Sequence, residues 1–296
     1  MIILSICLLV LILFVTNSEL VISGASYGLM LWYKNVLPIL LPFMLISGII
    51  VRQINIYSKP SKNNSCAIFT NIFLGVFCGY PIGAKTCNDF IQNNSMDKIT
   101  GNILLPLCNN SSPMFISGYI MYRILNNSIS FFHIIFLIYF PYIIVTIFSF
   151  LVVKIFTLTK NTNANKDNQA AVTKTELTIN QYIINTVNQI TLVGIYIMIC
   201  SIIIEFIIHS PHINPPYSQF LSGIIEITRG TFDISNLAIA DSKKIALIIA
   251  LTSFGGVSSI LQTQMVIQKS GLSIMYYTVM KALCAFLTYI LCILFI

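Results

Sequence analysis

Long charge-free apolar runs, broken by short polar or proline-containing stretches, set the pattern of the chain. Residues 1–18 carry no charge, and their apolar part, about 15 residues, is shorter than the ~20 that an upright membrane helix needs. No Lys or Arg opens this run and no small-x-small cleavage site closes it, so a first helix is preferred to a signal peptide. Ser23 to Asn35 mixes small, aromatic and polar residues and predicts an interfacial helix, with Trp32 and Tyr33 suited to the headgroup boundary. Val36 to Val51 predicts the next span. Asn63 to Ala84 is interrupted at Gly79-Tyr80-Pro81-Ile82-Gly83, and too few apolar residues precede the break for a crossing, which favours a re-entrant hairpin. Thr100 to Tyr122 is long enough to cross, yet its centre, Cys108 to Pro113, is a poor helix interior. Leu125 to Val153 is an uninterrupted span with Pro141 as a kink.

A polar stretch, 154–176, reads as a linker between halves. Leu177 to Ile204 then predicts a span with a polar-striped start, and Ser210 to Lys244 reads as irregular. Ile245 to Gln268 repeats the short-helix, break, short-helix pattern around Gly255-Gly256, and Gly271 to Ile296 makes the last span with Lys281 inside it. The order of elements recurs across the halves, and at an offset of 176 Gly79 meets Gly255, Gln92 meets Gln268 and Cys108 meets Cys284. An odd number of spans between the two interfacial helices inverts the second copy, an arrangement of many secondary transporters. The expected fold is therefore an all-α polytopic membrane protein with two inverted-topology repeats. Each would hold an interfacial helix, a transmembrane helix, a re-entrant hairpin and a broken or long transmembrane helix. The expected boundaries are 1–18 for a first transmembrane helix, 19–153 and 177–296 for the repeats, and 154–176 for a cytoplasmic linker.

Composition agrees with that pattern: 56% of the 296 residues are hydrophobic and 8% charged, against about 25% charged in a soluble domain. The net charge of +7 is scattered between apolar runs, which excludes a nucleic-acid partner and makes the lipid bilayer the principal one. Lys and Arg in the loops 52–62 and 85–98 and in the linker place these inside by the positive-inside rule, with both termini cytoplasmic. Lys243, Lys244 and Lys269 depart from that scheme. The eight cysteines lie in or beside apolar stretches with no C-x-x-C pair, and the histidines and carboxylates have no metal-ligand spacing. No cofactor is expected, and no paired carboxylates or Ser/His pair suggest an enzyme.

The candidate chemistry lies where helices break. Freed backbone groups cost several kcal/mol in hydrocarbon unless protein or water satisfies them. Gly79, Tyr80, Pro81 and Gly83 form the first turn, followed by Lys85, which either pairs with Asp89 one turn on or meets an anionic group. Asn109, Asn110 and Ser111, with Ser112, offer amides and hydroxyls to a polar ligand or cation, or else to neighbouring helices. Glu226 pairs with Arg229 or faces a cavity, Glu205 reads as interfacial, and Gly255 with Gly256 forms the second-half break.

Trp32 with Pro38 and Leu41-Pro42-Phe43, Gly79-Tyr80-Pro81-Ile82-Gly83-Ala84-Lys85, Cys108 to Ile116, Ser222 to Gly230 and Phe254-Gly255-Gly256 carry a resemblance. With these motifs the chain resembles the sporulation integral membrane protein YlbJ family, related to the nucleoside-recognition (Gate) domain proteins. It departs at Ser112, where the family has Gly. The resemblance implies Gate-like repeats on a transporter-like scaffold, of the kind seen in concentrative nucleoside transporters and the membrane part of ferrous-iron transporters. It also implies sporulation membrane proteins as partners in a bacterial inner membrane. Two functions follow: a permease binding or moving a small polar solute, nucleoside-like in one version and with a coupling ion, or a non-transporting scaffold for spore-envelope (cortex) assembly.

Overall fold

A computed structural model describes residues 2–57, 63–159 and 179–296. Of the expected loop 52–62, residues 52–57 belong to the end of the helix Leu37–Tyr57 and 58–62 fall outside the described residues, as does most of the expected linker, 154–176. The described chain is helical: α1 (Ile2–Thr16), α2 (Ser18–Leu31), a wide π turn (Trp32–Val36) and α3 (Leu37–Tyr57) open it. A helical hairpin, α4 (Ser65–Cys78) and α5 (Ile82–Gln92), follows. Next come α6 (Lys98–Cys108), the single turn α7 (Pro113–Phe115) running on as a π helix to Ile124, and α8 (Phe131–Thr159). After the linker, α9 (Ile179–Ile208) leads into a second hairpin, α10 (Pro215–Ile225) and α11 (Ile227–Ser235). The chain ends with α12 (Asp241–Phe254), α13 (Gly256–Ile267) and α14 (Ile274–Phe295).

Among the described residues, four stretches are long and apolar enough to cross a membrane: 131–155, 180–208, 241–267 (α12 and α13 together) and 274–295. A fifth arises if α1 and the helix 18–36, bent by 94° at Asn17, form one span. Large apolar side chains stand exposed along these helices, among them Phe132, Phe136, Phe140, Phe148 and Phe286. Such a surface, along helices of this length, suits a lipid surrounding. This is an all-α, multi-pass membrane protein. The segment 241–267 is the central one, with 67% of its most apolar window buried, against 22% for 274–295.

Ser23 to Asn35 is not a separate surface helix. It continues into α3 and runs antiparallel along α9: a Cβ on Gly24 would sit 2.7 Å from the Ile202 Cα, one on Gly28 2.7 Å from the Met198 Cα, and one on Gly194 2.7 Å from the Trp32 ring. The Gly24-x-x-x-Gly28 spacing drives this, since small residues let two helix backbones approach where no hydrophobic force separates helix from lipid. Trp32 accordingly donates its indole N–H to the Ile190 carbonyl at 3.0 Å. The π turn lies just ahead of Pro38, whose missing N–H and bulky ring disturb the preceding turn. At 15 residues α1 is only about 22 Å long, short of the ~30 Å hydrocarbon core. It turns away from α2 nearly at a right angle.

Ser210 to Lys244, expected to be irregular, is largely helical. Pro215 and Pro216 sit in the first turn of α10, where no N–H is needed, and Glu226 starts α11. Both halves thus carry the order hairpin, interrupted helix, long helix. In that order the counterpart of the Gly79–Pro81 tip is Ile225–Ile227, and the counterpart of the Cys108–Pro113 break is Gly255–Gly256. The offset of 176 pairs a hairpin tip with a helix break, so its residue matches do not join like positions.

Candidate functional site

The two hairpin tips and the two helix breaks meet at the centre of the protein. The first tip is built for close approach. Gly79 has φ +76°, and a Cβ there would lie 2.7 Å from both the Asn110 carbonyl oxygen and the Ser112 nitrogen. Pro81 follows in a cis peptide bond, and the Tyr80 N–H donates to the Asn110 carbonyl at 2.9 Å. Gly83 starts α5 so close to the first break that a Cβ would collide with the Cys108 carbonyl. The second tip does the same: a Cβ on Gly256 (φ +79°) would come within 3.1 Å of the Ile225 carbonyl and 3.3 Å of the Ile227 nitrogen. Gly255 (φ +85°) ends α12.

The first break is satisfied from both halves of the chain: Tyr80, Ala84 and Tyr139 from the first, and Thr252, Thr263, Tyr277 and Lys281 from the second. Asn109 is fully buried; its Oδ1 accepts from the Ala84 N–H (3.2 Å), and its Nδ2 donates to Thr263 Oγ1 (2.7 Å) and the Tyr277 hydroxyl oxygen (3.0 Å). The Asn109 carbonyl accepts from the Tyr277 hydroxyl at 3.1 Å. Ser111 Oγ donates to the Thr252 carbonyl (2.9 Å), and the Ser111 carbonyl accepts from the Tyr139 hydroxyl (2.8 Å). Asn110 Oδ1 accepts from its neighbour's Ser111 N–H (2.9 Å) and from Lys281 Nζ (3.1 Å). Its Nδ2 is buried without a hydrogen-bond partner among the described residues. These residues serve interhelical bonding, as one of the two readings of Asn109 to Ser112 expects, and the orphan amide leaves a donor over.

A cavity of about 60 Å³, room for about four waters at ~15 Å³ each, opens where these elements meet. Tyr80 and Ser112 line it from the first half. Glu226, Thr228 and Gly255, with Ser258, Ser259 and Gln262 on one face of α13, line it from the second. Asn35 and Val36 of the π turn close it. Among the described residues, Glu226 is the single charged one on its wall. Both carboxylate oxygens accept: Oε1 from the Thr228 N–H (3.1 Å) and Oγ1 (3.0 Å), Oε2 from the Arg229 N–H (2.9 Å). An acidic N-cap at the positive end of a helix dipole keeps a buried charge in place.

Arg229 does not pair with Glu226. Its guanidinium reaches Glu205 at 2.6 Å and Asp233 at 3.8 Å and lies 4.7 Å from the Tyr27 ring centroid. Glu205, expected at the interface, is buried and also accepts from Ser23 Oγ (3.1 Å). This network ties α11 to α2 and α9. Lys85 does not reach the cavity wall. It is buried 4.8 Å from the Tyr182 ring centroid on α9, with its Nζ 3.5 Å from the Tyr182 hydroxyl, and no ion pair joins it to Asp89 among the described residues.

Sequence reasoning missed the supporting shell of Thr263, Tyr277, Tyr139 and Tyr142, and left Lys281 out of the site. Lys281 is fully buried, donating to the Ser253 carbonyl at 2.7 Å as well as to Asn110. Two signals were available: a lysine amid an apolar span, and the Ser258, Ser259, Gln262, Thr263 stripe at helical spacing.

The chain is similar to a known sporulation membrane protein. It is 26% identical over 114 residues to the sporulation integral membrane protein YlbJ of Bacillus subtilis (strain 168). The match covers 35% of this chain and 28% of that protein's length, and it supports the suspected YlbJ-family relationship. No family model and no solved structure matches the chain.

Proposed function

We propose that this protein is a transporter-like membrane protein that binds, and moves, a small polar solute or cation at the central cavity. The observation that carries the reading is the convergence of both hairpin tips and both helix breaks on one cavity whose single charged wall residue is Glu226. Broken helices are tolerated in a membrane where they line a cavity, and such sites bind ligands between repeats. The two halves are read as inverted repeats with re-entrant hairpins, in support of which α2–α3 and α9, the first long helix of each half, run antiparallel. A lone carboxylate and a ring of hydroxyls favour a cation or a hydrogen-bond-donating solute, and the unpaired Asn110 Nδ2 offers a donor nearby. The cavity's small volume favours such a ligand over a nucleoside, for which pockets of roughly 300 Å³ and more are usual.

The similarity to YlbJ supports a role linked to sporulation in a bacterial cell membrane, with sporulation membrane proteins as partners. It favours as second reading the spore-envelope scaffold. Uptake into proteoliposomes separates the two, using a panel of monovalent cations, small amines, metabolites and nucleosides. Glu226→Gln should lower uptake at least tenfold, since a buried charge-assisted contact is worth about 1.5–3 kcal/mol. If no solute enters, and a sporulation defect in the deletion strain is complemented equally by Glu226→Gln and Asn109→Ala, the scaffold reading stands instead.

A further inference from the structure

Lys281 lies behind the cavity wall, and the cavity does not use it. Its side chain is wholly buried in the middle of α14, where an uncompensated ammonium costs at least ~2.5 kcal/mol on insertion scales. Among the described residues it forms no ion pair. Among the described residues, the titratable groups that meet it are Tyr142 from α8 and Cys284 on α14 itself. The remaining packed elements, α12 near the site and α13, supply none. Tyrosine and cysteine are neutral near pH 7 by their ordinary values, so no carboxylate or other anion balances the charge.

What surrounds Nζ instead is a set of oxygen acceptors and one ring face. The Ser253 carbonyl lies at 2.7 Å, Asn110 Oδ1 at 3.1 Å, and the Tyr142 ring centroid at 5.1 Å. Ser253 belongs to the last turn of α12, where the break at Gly255 leaves carbonyls without helical partners and the dipole's negative end exposed. Carbonyls at the C-terminal end of a broken membrane helix, joined by an amide oxygen from a second broken helix, are the donors with which transporters hold a monovalent metal cation. The aromatic face adds attraction for a cation of any kind. A Cβ on Gly255 would lie 3.6 Å from Nζ, so the ammonium sits directly behind a residue of the cavity wall.

We propose that the Ser253 carbonyl and Asn110 Oδ1 form a monovalent-cation site whose resident occupant is the tethered Lys281 ammonium. The lysine joins the break of the first half to that of the second without a bound metal ion. This assignment does not depend on solute transport, and its test reads stability.

Lys281→Ala deletes three methylenes and the ammonium, the atoms that n-propylammonium would replace. Thermal unfolding in lipid nanodiscs is followed by Trp32 fluorescence, with choline chloride exchanged at constant ionic strength for sodium, potassium or n-propylammonium chloride. The wild type should be indifferent to the exchange. Lys281→Ala should unfold at a lower temperature in choline and gain a saturable roughly 5–10 °C with at least one of the three cations. Lys281→Met, which fills the space without charge, should remain destabilised in every salt. A Lys281→Met protein as stable as the wild type, or a Lys281→Ala protein indifferent to all cations, overturns the assignment. Should Lys281→Ala yield no folded protein, Asn110→Asp decides. It gives the ammonium a carboxylate, so its folded yield should stay within about twofold of wild type, and adding Lys281→Met should lower that yield at least tenfold. Equal yields for Asn110→Asp with and without Lys281→Met refute the proposal.

Discussion

Asn109→Ala tests whether the first break is held by the second half. The side chain makes three hydrogen bonds, to the Ala84 N–H, Thr263 and Tyr277, all fully buried. Interhelical hydrogen bonds in membrane proteins average about 0.6 kcal/mol, so three sum to about 2 kcal/mol. The Ala84 N–H would also be stranded, and an orphaned buried donor costs about 1–3 kcal/mol. The stranding penalty replaces the Ala84 bond's own share of about 0.6 kcal/mol, so the expected loss is about 2–4 kcal/mol. Thr263→Val removes one of the three bonds and should cost roughly 0.6 kcal/mol. A double-mutant cycle should return a coupling of similar size, because the two residues meet at 2.7 Å. Reversible unfolding in mixed micelles, read through Trp32, the sole tryptophan, provides the measurement. Two results would refute the reasoning: Asn109→Ala within 0.5 kcal/mol of wild type, or Thr263→Val costing as much as Asn109→Ala.

Substitutions at Gly79, Gly118 and Arg229 extend the test. Gly79→Ala combines a strained positive φ with backbone contacts at 2.7 Å on both sides and should cost at least about 2 kcal/mol in the same assay. Ala at Gly118, where nothing lies within 4 Å, should be neutral or slightly stabilising. Arg229→Met strands the buried Glu205 and should cost roughly 3–5 kcal/mol, whereas the double variant Arg229→Met/Glu205→Gln should recover at least half of that loss. A double variant no better than the single one would show that packing, not charge, holds α11 to α9.

The apolar runs made the membrane class and most helices legible, since an uninterrupted run of sufficient length has few other stable uses. The breaks at Gly79, Cys108 and Gly255 were legible too, because glycine, proline and asparagine clusters stand out against isoleucine. Partner choice was hidden. Arg229 sits three residues from Glu226, yet its guanidinium goes to Glu205, since helix geometry gives Glu226 to the backbone N–H groups of its own first turn. Lys85 follows the first tip in sequence, but its place on α5 turns it towards α9 and away from the cavity. Ser23 to Asn35 looked interfacial because its polar residues were weighed ahead of the Gly24-x-x-x-Gly28 spacing that seats it on α9.

The bonds that close the first break carry a consequence for synthesis. Thr252 lies 141 residues after Ser111, and Lys281 lies 171 after Asn110. At about 5–20 residues per second, roughly 10–30 s pass between insertion of the break and arrival of its partners. Through that interval Asn109 keeps its bond from the Ala84 N–H and Asn110 its bond from the Ser111 N–H, but the partners that Thr263, Tyr277 and Lys281 supply are still missing. Water or an insertion factor has to stand in for α12 to α14. The bonds that fix the finished site are thus the last to form, and a nascent chain truncated before α14 should be the state that cellular quality control meets as unfinished.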